Sequence, residues 1–402
     1  MSIQSLQVLL SICLSAVVLA GCGGGGIKET SEGDATAASS KAVDSDTKTA
    51  GQDKGASEEV KPKKAPTKFG RIKKSKIPYR PRSNAVTDKA LGDNLMAARK
   101  KEAMRFLKQG ANANTIAANG EPVLYTALRL GFSEIANNLV LYGANVNTKT
   151  RTGQSTLHLA ISKGNAGFTK LLLENGADAN SVSGSNETPL LMAIERGHPG
   201  IVNLLLKYQA SPNLGGKGGK PLHLAIAKGQ VGVVASLLKY GANSNTGSQK
   251  GTPLQVVLKN GNIKIAQLLA SNKADVNITD GIGESLLHKA AARGQVGFAG
   301  VIIANGANVN ATDKYKETPL HEAAAKGRLA MVKLLLNEKA DLYAKTEKNW
   351  TALHEAARFG HPETAAYLIK RGLNRNAHTS DGVTPKGLAN HLKHGEVLKV
   401  LK

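Results

Sequence analysis

The apolar pattern divides the chain into three stretches. Leu6 to Ala20 is almost continuously apolar, broken only by Gln7, Ser11 and Ser15, and no charged residue precedes Cys22. At about 1.5 Å per residue this run falls short of a ~30 Å hydrocarbon core. Its length suits the apolar region of an export signal, so 1–21 is predicted to be a signal peptide, although Met1 to Gln4 carry no basic residue. Residues 22–87 show almost no apolar periodicity and are rich in Gly, Ala, Ser, Thr, Lys and Glu, which predicts a disordered linker. From about Asp88 onward, apolar residues return at helical spacing, and the whole pattern repeats.

The repeat is anchored by Leu124, Leu157, Leu190, Leu222, Leu254, Leu287, Leu320 and Leu353, at steps of 33, 33, 32, 32, 33, 33 and 33 residues. Local signals agree with it. Thr188, Thr252, Thr318, Thr351 and Thr384 can cap helices through their hydroxyls, and Pro189, Pro253, Pro319 and Pro385 follow where a missing N–H is harmless. A short helix follows each and ends at Gly131, Gly164, Gly197, Gly229, Gly261, Gly294, Gly327 or Gly360. A second, leucine-rich helix follows, as at Leu171–Leu173, and closes on Gly-Ala-Asn or Gly-Ala-Asp. Gln209, Lys273 and Lys339 replace that second glycine, and Lys220 replaces the capping Thr. The two 32-residue steps each remove one residue, around Leu214–Lys220 and Gly247–Gly251.

This period and the stretch ETPLHEAAAKGRLAMVKLLLNEKADLYA (Glu317 to Ala344) resemble ankyrin repeats. The expected fold is an all-α repeat solenoid of helix-turn-helix units with short β-hairpin fingers, preceded by the disordered tether. The array, 88–402, reads as eight full repeats between an N-terminal and a C-terminal cap, and a monomer is expected. The resemblance implies binding of another protein on a concave face, without enzymatic turnover.

Leu19-Ala20-Gly21-Cys22 resembles the lipobox of bacterial lipoproteins, which implies that the Cys22 thiol carries lipid (diacylglycerol, with palmitate-type acylation of the new amino end). Cys13 would leave with the signal, so cysteine catalysis and cysteine metal sites are excluded. The chain is then expected in the bacterial cell envelope, with the outer membrane or periplasmic face favoured.

Charge sharpens this picture. The formal net charge is +23, and over 88–402 alone 39 Lys and Arg face 22 Asp and Glu, a net of +17. An acidic partner follows naturally. The segment Lys61 to Arg82 holds Lys61, Lys63, Lys64, Lys68, Arg71, Lys73, Lys74, Lys76, Arg80 and Arg82 with no acid. It could lie on anionic lipid or a cell-wall polymer, or serve only as a self-repelling spacer. Nucleic acid is not expected for an exported chain.

Candidate chemistry is sparse. His158, His223, His288, His321 and His354 share one repeat position, and His198 and His361 another, which points to structural roles. His378, His391 and His394 fall outside that scheme. His391 and His394 stand three apart but lack an acidic or cysteine partner, so no metal or cofactor is expected. Gly215 to Lys220 lacks the strand and the Ser or Thr of a phosphate loop. The candidate partner-binding residues are instead Lys163, Arg196, Lys228, Arg293 and Lys326, a basic ladder just before the helix-ending glycines, with Tyr315, Trp350, Arg358 and Phe359 as an aromatic hot spot. Trp350 could alternatively pack on its own finger. Other readings kept open are a polyanion binder and a secreted effector or immunity protein.

Overall fold

A computed structural model describes residues 83–402. The signal peptide at 1–21, the lipid site Cys22 and the basic segment Lys61 to Arg82 lie outside the described residues. Twenty helices stand among the described residues, in ten pairs. The first pair, Ala85–Met96 and Lys100–Lys108, opens three residues ahead of Asp88, with Asn84 as its N-cap. The last pair is Pro385–His391 and Gly395–Val400.

Between these caps each repeat has a first helix of seven or eight residues and a second of nine. First helices pack on first helices of the next repeat, and second helices on second helices. The anchor leucines fill the seam between layers, each no more than 2% exposed. Truncating one to Ala would remove about 2–5 kcal/mol of stability. The fingers between repeats are short loops, closed by isolated bridges such as Ile116 to Pro122, Lys149 to Ser155 and Thr279 to Ser285. In the two shortened fingers the bridge tightens to Gly216–Gly219 and Ser248–Gly251. Gly215 to Lys220 is therefore a tight finger turn, with the Lys217 amide donating to the Asn186 carbonyl at 2.9 Å.

The shared histidine knits the layers. In the seventh repeat the Thr318 hydroxyl lies 2.9 Å from His321 Nδ1, and the Thr318 amide donates to the same nitrogen at 3.2 Å. Nδ1 therefore accepts, and the ring proton sits on Nε2. Nε2–H donates to the Trp350 carbonyl of the following finger at 3.1 Å. Burial holds the His321 pKa down to about 4, which keeps the ring neutral. His158, His288 and His354 repeat the arrangement. Where Lys220 replaces the capping residue, His223 keeps its bond to the Gly251 carbonyl at 3.0 Å. Its Nδ1 is left buried without a partner.

At several repeats the residue after the helix-ending glycine reaches back to the preceding first helix. His361 Nε2 donates to the Ala325 carbonyl at 3.0 Å, capping the preceding first helix. Its ring lies so close to Gly327 (φ 62°) that a Cβ there would sit 2.5 Å from Nδ1. Gln230 and Gln295 reach back to the Ile194 and Leu258 carbonyls in the same way. His394 does so too, donating to the Arg358 carbonyl at 2.9 Å. It therefore belongs to the structural scheme, contrary to the expectation from sequence. Lys393 had hidden this by standing where the glycine should be, with φ at 59°.

Candidate interaction site

The geometry changes along the array. Four residues after the anchor stand Leu128, Ile161, Ile194, Ile226 and Leu258 in repeats one to five, but Ala291, Ala324 and Ala357 in repeats six to eight, all buried. With only a methyl group at that seam, the first helices Leu286–Arg293, Pro319–Ala325 and Ala352–Arg358 pack together more extensively than first helices earlier in the array. This brings Lys289, Glu322 and Glu355, two residues after their anchors, into one file. Glu284, Glu317 and Trp350, three residues before the anchors, stand at the bases of the neighbouring fingers.

Lys289 is taken up by an ion pair with Asp280 at 2.6 Å. The carboxylates beyond it have no such relief. Glu355 is 6% exposed, and its side chain makes no hydrogen bond or ion pair with a described residue. Burial pushes its pKa up to about 8, Glu317 adds to that, and Arg358 opposes it. Burial and then Glu322 push Glu317 up to about 7. Glu322 is raised by burial and by Glu284. Sequence reading passed over this cluster because the array as a whole is strongly basic. The available signal was the recurrence of His-Glu-Ala-Ala at His321 and His354.

Beside the carboxylates lies an aromatic and cationic group. The Arg358 guanidinium carbon stands 5.4 Å from the Trp350 ring centre and 5.1 Å from that of Phe359. Lys326 Nζ is 5.6 Å from the Phe359 ring. Phe359 is exposed, whereas Trp350 is half-buried, tilted against His354 with ring centres 5.9 Å apart. Trp350 thus packs on its own repeat and also carries Arg358. Tyr315 is exposed on the preceding finger, with Lys314 Nζ 4.8 Å from its ring centre. Its carbonyl accepts from the Glu347 amide of the next finger at 3.0 Å.

The basic ladder is less uniform than its spacing suggests. Lys228 pairs with Glu195 at 3.1 Å, and Arg293 donates to the Leu258 carbonyl at 3.3 Å. Lys163 and Arg196 are exposed and make no hydrogen bond or ion pair with a described residue. No group of three or more His, Cys, Asp or Glu among the described residues is arranged to hold a metal ion. No described helix is long and apolar enough to cross a membrane.

A family model built of three ankyrin repeats matches 94–183, 127–215, 157–248, 190–280, 254–346, 287–379 and 332–402, together reaching from 94 to the last residue. The chain belongs to the ankyrin-repeat family. The comparison with individual curated proteins gave no match. The ankyrin fold accounts for the paired helices, the fingers and the histidine network, and it marks the chain as a protein-interaction scaffold. The carboxylate file and the Trp350–Arg358–Phe359 group lie in the last repeats of the array.

Proposed function

We propose that this ankyrin array is a binding scaffold displayed in the bacterial cell envelope, held by lipid on Cys22 through the linker at 22–87. It captures a protein partner on the face that carries Trp350, Arg358 and Phe359. The observation that carries the reading is the guanidinium of Arg358 set between an exposed Phe359 and a half-buried Trp350. Arg, Trp and aromatic neighbours of this kind dominate interface energetics. The stacked helices hold the group in place, so little ordering entropy is lost on binding. Lys163 and Arg196 favour an acidic region of the partner opposite repeats two and three. Anchoring by more than one acyl chain would raise the local concentration of the array near membrane partners.

A second reading, a binder of cell-wall or lipid polyanions, is favoured by the ten basic residues between Lys61 and Arg82. Two experiments address these readings. Radiolabelled palmitate should enter the wild-type chain and not Cys22→Ala. A photo-reactive residue replacing Phe359 should give a discrete protein adduct in cells, while one replacing Lys370, on the second helix of the same repeat, should not. Absence of the first adduct would remove the support for this face.

A further inference from the structure

We propose that a cleft between the fifth and sixth repeats takes carboxylate side chains from an extended, acidic segment of the protein partner, through Lys250, Lys259 and Arg293. The existence of a protein partner rests on the scaffold reading above. The cleft itself is a separate site from the Trp350–Arg358–Phe359 group.

A cavity of about 550 Å³ lies between the finger at 247–251 and the first helices Pro253–Asn260 and Leu286–Arg293. This finger is one of the two shortened ones, closed by the Ser248–Gly251 bridge. Several other fingers are tied to each other by backbone bonds. The Lys217 amide donates to the Asn186 carbonyl at 2.9 Å, the Lys314 amide to that of Ile282 at 3.0 Å, and the Glu347 amide to that of Tyr315 at 3.0 Å. The finger at 247–251 makes no such bond to either neighbour among the described residues, and the cavity opens beside it.

The lining supplies donors that the protein does not use. Lys250 and Lys259 are exposed, and their side chains make no hydrogen bond or ion pair with a described residue. Arg293 lines the cavity from the next layer, where its Nη1 donates to the Leu258 carbonyl at 3.3 Å. That bond holds the guanidinium across the two repeats and leaves its other N–H groups for an acceptor. Lys289 also lines the cavity, but Asp280 neutralises it at 2.6 Å. Glu284 is the one carboxylate in the lining, so Lys250, Lys259 and Arg293 outweigh it. The occupant is therefore an acceptor of negative charge. Two separate ammonium groups and a tethered guanidinium act as spaced charges, which suits several carboxylates better than one compact anion. First helices of neighbouring repeats stand about 10 Å apart. An extended chain rises about 3.3 Å per residue. Acidic residues three apart on such a segment would meet Lys259 and Arg293 on successive layers.

The test uses the full-length chain and a fluorescent hexa-glutamate peptide, followed by anisotropy at low ionic strength, with hexa-lysine as comparator. Hexa-glutamate should bind and hexa-lysine should not. Lys250→Gln/Lys259→Gln should weaken binding by about five- to tenfold. Both lysines are exposed, so the variant should fold, which a thermal melt verifies. Arg293→Gln should weaken binding in the same direction and serves if the double variant is impaired. Lys73→Gln/Lys74→Gln removes the same charge from the basic segment outside the array and should change binding much less. Undiminished binding by the cleft variants, an equal loss in the Lys73/Lys74 variant, or no binding of hexa-glutamate would overturn the inference. Tighter binding of inorganic tripolyphosphate, lost in the same cleft variants, would overturn it in favour of a phosphate ligand. The photo-adduct from position 359 depends on none of these results, so failure here is distinguished from failure of the scaffold reading.

Discussion

Asn147 ties its own repeat to Asp178 in the next: its Oδ1 accepts from the Asp178 amide at 2.8 Å, while its Nδ2 donates to the Gly176 carbonyl at 2.9 Å. Asn180, Asn213, Asn245 and Asn277 make the same double bridge to their successors. The ladder stops where Tyr343, exposed, takes the place of the asparagine. Asn180→Ala would remove the bonds to the Gln209 carbonyl and the Ser211 amide, which water can reach, lowering stability by about 0.5–1.5 kcal/mol. Urea unfolding measures the loss, and an unchanged midpoint would count against the ladder as a stabilising element.

Lys220 offers the opposite experiment. It leaves the first helix of repeat four without a side-chain cap, and His223 Nδ1 without a donor. Lys220→Thr should supply both with one hydroxyl, raising stability by about 1 kcal/mol. Thermal melting of the two chains side by side checks the direction.

Gln209, Lys273 and Lys339 occupy the left-handed region, with φ of 66°, 63° and 67°. Each carries strain that glycine would not. Replacing any one with Gly should stabilise by about 0.5–1 kcal/mol after allowing for the freer unfolded chain. The gains should add for Gln209 and Lys339, which lie four repeats apart.

These three cases show what the sequence could and could not tell. The helix ends were legible because Gly, Thr and Pro act locally, and Gly131 through Gly360 all adopt the positive φ their spacing implied. The strain at Gln209 was legible for the same reason. The asparagine ladder was not read from the sequence, since its bonds run to backbone amides and carbonyls of the following repeat. His394 was misread because Lys393 broke the local frame. The Glu317–Glu322–Glu355 cluster depends on how three layers face each other, and the recurrent His-Glu-Ala-Ala at His321 and His354 was its one trace in the sequence.

The same cluster gives the chain a pH signature. Glu355 and Glu317 have folded pKa values of about 8 and about 7 against an ordinary 4.5. The folded state therefore holds extra protons in that window, and their contribution to stability falls as pH rises through it. His321 works in reverse: its folded pKa of about 4 against 6.5 means its contribution is present above 6.5 and lost as pH falls. Glu355→Gln should raise the melting midpoint more at about pH 8.5 than at about pH 5, flattening the alkaline decline. An equal shift at both values would show that Glu355 is not the titrating group.

The most direct test of the scaffold account is retention of envelope proteins by the full-length chain, compared with a Trp350→Ala/Phe359→Ala double variant at low and high salt. The expected result is a defined protein held by the wild type in both salts and lost by the variant. Retention of only salt-sensitive glycan or lipid, equal for both chains, would contradict the account and leave the polyanion binder in its place.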